Sequence, residues 1–371
     1  MAQNYTVSYS TDNVTFTALA NTQNITLSIG RQALIDSYGA DTCSIDVWYP
    51  TGYYSPISAM VTGTFLKITN TTTSKIIWYG RISDTQVNYG IVYNTGTHVG
   101  NSDRLTILGE GSLAQWGRAR GNGYAMAAGT ASAQIAAAAS TSGLTATSNY
   151  STSDNPLVAA TTVTNSWADW FNQFTVTNNG RIRQGSNQIT ALSKYSSFNS
   201  TVNFSDTSNN ATNQVYDNLE FHSLGQNYFT QITVSPESYT AQTVQTGSSP
   251  YRNLNIQTFN NGTSQALDFA NYLLTIYSAS TFALASISCL AEAQNTMKLD
   301  AIGTGLWDCI GYAVTIAFRG TTYYAIIEGA SFTASPESSR YTFYLSGADL
   351  NSYLILDNAV QGRLNYNKLG Y

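Results

Sequence analysis

The sequence has little charge and few of the residues that carry common chemistry. Only 10% of its 371 residues are Asp, Glu, Lys or Arg, against about 25% in an average globular protein. It contains two histidines, three cysteines and six prolines. The formal net charge is −5 and no basic run stands out. Because gripping nucleic acid requires a cationic surface, sequence-specific DNA binding is not expected.

The three cysteines, Cys43, Cys289 and Cys309, form no C-x-x-C pair and are odd in number. This pattern indicates neither a disulfide framework nor a zinc site, so we expect buried free thiols. The N-terminus lacks a basic segment followed by an apolar one, and no stretch reaches about 18 apolar residues. We therefore expect no signal peptide and no membrane span.

Aromatic and small polar residues are abundant instead. The chain has 26 Tyr, 14 Phe and 6 Trp, and 43% of its residues are hydrophobic. Such a chain folds, since a disordered chain is usually charged and poor in aromatics. A weakly charged exterior is typical of proteins covered by neighbouring subunits or located outside the cell. The length allows two or three domains.

The hydrophobic pattern predicts a mainly β chain with a helical middle. From Tyr5 to about Leu108 apolar residues alternate with polar ones, as at Ile25, Leu27 and Ile29, which is typical of half-buried antiparallel strands. Strands are also predicted over residues 61–69, 75–80 and 85–93. Strands resume from about Tyr195 and continue into the last hundred residues. Regular strand spacing with turn signals favours a barrel or sandwich.

Three segments have helical character. Residues 130–140 are rich in alanine, and residues 165–174 place four aromatic residues on one face behind Asn165 or Ser166 as N-cap. Residues 264–277 carry an apolar stripe behind Ser264 as N-cap. Residues 141–162 are predicted to be a long polar loop. These changes divide the chain into residues 1–108, 109–195 and 196–371, the last with an inserted helix at 264–277.

No catalytic constellation emerges from the sequence. The two histidines, His98 and His222, lack a nearby nucleophile motif. Two facing carboxylates such as Glu110 and Asp169 would suit glycoside hydrolysis, but nothing in the sequence selects this pair. Gly121-Asn122-Gly123 lacks the third glycine and the βαβ frame of a phosphate-binding loop, so we interpret it as a flexible connector. We assign no catalytic, cofactor-binding or metal-binding residue.

The order of motifs along nearly the whole chain resembles the tail-tip hub proteins of siphophages, which are related to the baseplate hub of contractile-tailed phages. The segments that carry this resemblance are Ile25-Thr26-Leu27-Ser28-Ile29-Gly30-Arg31, Tyr54-Ser55-Pro56, Trp78-Tyr79-Gly80-Arg81-Ile82, Asn179-Gly180-Arg181-Ile182, Tyr216-Asp217-Asn218-Leu219, Ile326-Ile327-Glu328-Gly329, Tyr341-Thr342-Phe343-Tyr344-Leu345 and the ending from Leu354 to Tyr371. The ending carries the largest share of it.

The resemblance implies two hub-type antiparallel β-barrel domains with a helix-containing region between them. It also implies a homotrimer at the tip of a virion tail, without enzymatic activity, cofactor or membrane anchor. Expected partners are the distal tail protein ring, the tape measure protein, and tail fibres or receptor-binding proteins. Genomic DNA would pass an acidic surface without binding stably. The alternatives are a host-receptor-binding adhesin of the virion and a secreted glycan-active enzyme.

Overall fold

A computed structural model describes residues 4–49, 59–89, 91–94, 97–100, 103–151, 155–194, 198–200, 202–223, 228–278, 282–291, 299–300 and 302–347. Strands dominate these residues, and four α-helices interrupt them. The predicted mainly β, α+β class is confirmed. The motifs Tyr54-Ser55-Pro56 and Leu354 to Tyr371 lie outside the described residues.

The first region folds as the predicted series of antiparallel strands. Val61 does not begin a strand but lies 58% exposed in a turn before β5. The strands predicted over residues 75–80 and 85–93 are largely one long strand, β6 (Ile76–Asn88), which continues through a bulge after Ile82. The strands are β1 (Tyr5–Ser10), β2 (Thr17–Ala18), β3 (Thr22–Gly30), β4 (Thr42–Tyr49), β5 (Phe65–Asn70), β6 (Ile76–Asn88), β7 (Ile91–Asn94), β8 (Thr97–Gly100) and β9 (Asp103–Glu110).

The middle region mixes helices with short strands. Its elements are α1 (Leu113–Arg118), β10 (Ala125–Met126), β11 (Gly129–Thr130), α2 (Ala131–Ser142), β12 (Thr145–Asn149), β13 (Leu157–Val158), β14 (Thr161–Thr162), α3 (Trp167–Thr177), β15 (Arg181–Gln184) and β16 (Gln188–Leu192). Both predicted helices are present. The predicted loop over 141–162 is wrong in part, because β12 adds a parallel strand beside β16.

The last region returns to strands around one long helix. Its elements are β17 (Phe198–Asn199), β18 (Asn203–Ser205), β19 (Asn213–Val215), β20 (Asn218–Ser223), β21 (Gln231–Pro236), β22 (Gln242–Gln245), β23 (Asn253–Thr258), α4 (Thr263–Tyr277), β24 (Phe282–Ala291), the 3₁₀ helix η1 (Leu306–Asp308), β25 (Tyr312–Phe318), β26 (Thr321–Ala334) and β27 (Ser339–Gly347).

Helix caps decide where the predicted helices begin. Ser166 caps α3 by accepting from the Asp169 backbone N–H, and Asp169 accepts in return from the Ser166 backbone N–H, which completes a capping box. Ser264 is not the N-cap of α4, since that helix starts one residue earlier behind Gly262, and no side chain caps it. The predicted apolar stripe of α4 is buried at Ala266, Ala270, Leu273 and Tyr277, whereas Leu267 is 39% exposed.

One large mixed sheet joins the first and last regions. Its main path runs β19-β18-β25-β26-β3-β4-β9-β6-β5-β1-β2, and β20, β24 and β27 attach through β26. Strand β26 is the shared element, because its first half pairs with β25 and its second half with β3. No sheet among the described residues closes into a barrel.

Side chains also tie the two ends of the chain together inside the main core. The Tyr341 hydroxyl donates to Asp300 Oδ1 at 2.8 Å, and the Tyr5 hydroxyl lies 3.0 Å from the Tyr341 oxygen. Asn70 Nδ2 donates to Asp300 Oδ2 at 2.7 Å. Burial raises the pKa of Asp300 to about 6, although these hydrogen bonds oppose the shift.

A second, smaller core lies beneath α4. Helix α4 packs on the three-stranded sheet of β22, β21 and β23, where Ile232 and Val234 are fully buried. The opposite face of this sheet carries Gln, Asn and Thr side chains. Helix α3 lies against β23, so this unit meets the middle region there.

Candidate functional site at a buried junction of three regions

The carboxylate of Glu328 lies at the point where β26 changes partners. The strand pairs with β25 up to Ile326 and with β3 from Gly329 onward, and its register against β27 shifts between Ile327 and Gly329. A bulge turns a side chain out of the regular alternation of a strand. Glu328 is thereby placed in the interior with no exposed surface.

Two arginines from distant regions bind this carboxylate. Arg31, directly after β3, donates through Nε at 3.1 Å and Nη2 at 3.0 Å to Oε2. Arg181, the first residue of β15, donates through Nε at 3.0 Å and Nη2 at 2.7 Å to Oε1. The Ser346 hydroxyl on β27 also donates to Oε1, at 2.6 Å. The first, middle and last regions therefore meet at one carboxylate.

The charges of the arginines keep Glu328 ionised in spite of its burial. Burial alone would raise the pKa of Glu328, but the nearby charges of Arg181 and Arg31 and their hydrogen bonds lower it to about 2. Arg31 has further partners in the carbonyl oxygens of Asp36 and Gly180, both at 3.3 Å, and its guanidinium lies 4.6 Å from the centre of the Tyr38 ring. The carboxylate is thus paired with both arginines, and hydrogen bonds to carbonyl oxygens also stabilise the charge of Arg31.

Glycines beside the three charged residues permit the close approach of their backbones. Gly30 adopts φ +73°, and a Cβ there would lie 2.5 Å from the Glu328 carbonyl oxygen. A Cβ at Gly329 would lie equally close to the carbonyl oxygens of Ile29 and Arg31. A Cβ at Gly180 would lie 2.5 Å from the Leu192 carbonyl oxygen. Larger residues at these positions would push the arginines away from the carboxylate.

A second buried polar group, Asp41, lies beside this junction. Its Oδ1 accepts from the Gly30 backbone N–H and from Gln184 Nε2, both at 2.9 Å. Gln184 Oε1 accepts in turn from the backbone N–H groups of Asp41 and Leu113. Burial raises the pKa of Asp41 to about 7, and the Gly30 hydrogen bond opposes the shift only in part.

The acidic and basic residues considered in the sequence have separate structural roles. Glu110 forms an ion pair with the exposed Arg118, and Asp169 belongs to the capping box of α3. His222 lies 2.9 Å from Glu220 on the exposed side of β20. The side chain of His98, on β8, lies outside the described residues.

The remaining candidates also have structural explanations. Gly121 packs tightly on Val163 and Trp167, and the backbone N–H groups of Gly121 and Gly123 donate to backbone carbonyls. The turn is therefore held in place, unlike the flexible connector that the sequence predicts. The three cysteines are free and buried, which confirms that prediction. Within the described ranges no cluster of metal-ligating side chains occurs, and no helix is long and apolar enough to cross a membrane.

Three of the segments that carry the family resemblance meet at this junction, through Gly30-Arg31, Gly180-Arg181 and Glu328-Gly329. Each is a charged residue next to a glycine in a chain with little charge. The same pairing of a charge with a glycine also occurs at exposed positions, such as Gly117-Arg118, so the sequence alone did not mark this site. The pairing itself could not be predicted from the sequence, because 297 positions separate Arg31 from Glu328.

Solved structures share the whole architecture. A tail protein from Neisseria meningitidis MC58 superposes with a TM-score of 0.64 at 11% identity, over 93% of this chain and 97% of that one. The 43 kDa tail protein of prophage MuSo2 from Shewanella oneidensis gives 0.63 at 10% identity, over 93% and 96%. The chain has the fold of these tail proteins. A type VI secretion component, E. coli c3393, described as similar to the T4 bacteriophage tail proteins gp27 and gp5, gives 0.55 at 10% identity, over 89% and 74%.

These likenesses rest on structure, since no protein-family model and no curated protein sequence matches the chain. They confirm the expected resemblance to phage tail and baseplate proteins at the level of the fold.

We expect Glu328→Gln to destabilise the fold by about 3–5 kcal/mol, because it leaves two buried arginines without a counter-charge. The measurement is the free energy of unfolding in urea at pH 7. Glu110→Gln is the matched control and should cost at most about 1 kcal/mol, since its pair with Arg118 is exposed. Equal losses in the two variants would contradict the proposed importance of the buried carboxylate.

Asp41→Asn should make stability less sensitive to pH. The folded pKa of Asp41 is about 7, against about 3.9 in an unfolded chain. As pH rises from about 4 to 7 the unfolded carboxyl therefore loses its proton first, and the wild-type fold loses stability. The variant keeps the Oδ1 acceptor but cannot ionise.

Thermal unfolding at pH 8 and pH 4 measures this effect. Asp41→Asn should melt above the wild type at pH 8, with the gap closing toward pH 4. Asp46→Asn, an exposed position on the strand that follows Asp41, is the control and should melt with an unchanged difference from the wild type at the two pH values. A gap that does not change with pH would count against the assignment.

Proposed function

We propose that this chain is a structural virion protein, the trimeric hub at the distal tip of a phage tail. The observation that carries the proposal is the likeness to the Neisseria tail protein over nearly the full length of both chains. In this role the chain joins the distal tail protein ring and the tape measure protein to tip fibres or receptor-binding proteins. It has no enzymatic activity, and a siphophage is the proposed source.

The proposed organisation follows residues 1–108, 109–195 and 196–371, with the first and third regions acting as two hub-type β domains that share one open sheet. Three copies would then place six similar β domains around one channel. Strand β26 supports this organisation because it pairs with strands of both regions. With a net charge of −5 per chain, the acidic balance would let genomic DNA pass without adhering.

Exposed aromatic residues where β4 and β6 end and β9 begins are candidates for the contact between subunits. Trp48 on β4 is 41% exposed and pairs with Arg104 on β9, which also pairs with Asn88 on β6. Tyr89, the next residue, is 55% exposed. Aromatic side chains at such positions are enriched in the centres of interfaces.

The test is the mass of the purified chain by light scattering. Because one chain has a mass of 40.1 kDa, the measured mass should be that of a trimer, about 120 kDa. The double variant Trp48→Asp with Tyr89→Asp should become a folded monomer, because it buries unpaired charge at the interface. Leu267→Asp, on the exposed side of α4, should stay trimeric. A monomeric wild type would overturn the trimeric hub.

The alternative function, a host-receptor-binding adhesin of the virion, predicts a different location. Antibody labelling of purified tails should mark the axis of the tip if the chain is the hub. Label on lateral fibres, together with binding of the isolated chain to host cells, would favour the adhesin.

A further inference from the structure

A cleft of about 380 Å³ opens beside the turn between β15 and β16. Its walls come from the turn after β1, from β6, from the start of β12, from that β15–β16 turn and from η1. None of its lining side chains is charged. Its volume lies in the lower part of the range of about 300–1,000 Å³ that is usual for small-molecule sites.

One wall of the cleft is aromatic and is fixed in place. Trp307 is half-buried on η1, and a Cβ at Gly185 would lie 3.6 Å from its ring, so the ring lies next to the bare Gly185 backbone. Gly305 brings η1 against β6, where any Cβ would overlap the Ile76 carbonyl oxygen. Tyr79, also half-buried, adds a second ring to the lining.

The other wall presents amides and a hydroxyl in set orientations. The Tyr79 hydroxyl donates to Asn13 Oδ1 at 2.7 Å, and Asn13 Nδ2 lies 3.3 Å from the Ser186 hydroxyl oxygen. Asn13 holds this position with φ +63°. Arg81 donates to Asn187 Oδ1 at 2.7 Å. The N–H groups on Asn187 Nδ2 are not used in this hydrogen bond.

We propose that this cleft binds a small neutral saccharide. The apolar face of a sugar ring stacks on an aromatic side chain, and its hydroxyls both donate to and accept from planar amides. Trp307 supplies the stacking surface, and Asn187 supplies free amide donors. None of the lining side chains is charged, which favours a neutral ligand over phosphate and acidic sugars; the Arg81 cation is bonded to Asn187 and is already engaged there. The binding activity is independent of the hub role.

The test titrates the purified full-length chain with cellotriose, maltotriose, chitotriose, lactose and sialyllactose by calorimetry and ligand-observed NMR. At least one neutral sugar should bind with a Kd of about 1 mM or tighter. Trp307→Ala should weaken that binding by about tenfold or more, through lost stacking. Trp307→Phe keeps a ring and should retain most of it.

Asn187→Ala is the second variant. Because Asn187 is exposed, this substitution should leave the fold intact. It should weaken binding about fivefold, the loss of roughly one hydrogen bond. Asn255→Ala, an exposed amide on β23, is the control and should bind as the wild type does. The proposal is overturned if no neutral sugar binds, if sialyllactose binds better than lactose, or if Trp307→Ala and Asn187→Ala both bind normally.

Discussion

Two arginines from distant parts of the chain bind one buried carboxylate, and we infer that the arrangement of the three regions depends on that contact. Arg31 ends a strand of the first region, Arg181 begins a strand of the middle region, and Glu328 belongs to the last. Removing Glu328 would leave the charges of both arginines in the interior without a counter-charge. We infer that the interaction favours one arrangement at the junction, since misplaced regions could not satisfy all three groups.

Strand β26 explains why this contact lies where it does. The strand serves two sets of neighbours, and the bulge between Ile327 and Gly329 marks the change from one to the other. Gly30 and Gly329 let the backbones of β3 and β26 approach closely enough for Arg31 to reach the carboxylate. The first and last β regions are therefore joined at one place in the interior.

Local patterns predicted much of the fold, whereas long-range pairing was not predictable. The aromatic stripe of α3 and the alternation in β3 and β4 depend only on neighbouring residues, and both were found as expected. The six-residue helix α1 is too short for its period to be detected. The partners of Glu328 and the cleft at Trp307 depend on contacts between distant segments. The ending from Leu356 to Tyr371, which contributed most to the resemblance, lies outside the described residues.

Amide hydrogen exchange in Glu328→Gln tests most directly whether one carboxylate holds the three regions together. At pH 7, the backbone amides around Arg31, Ile182 and Gly329 should lose protection together, while those of β21 beneath α4 keep theirs because they belong to a separate core. Loss of protection confined to β26, with the amides near Arg31 and Ile182 unchanged, would contradict the account.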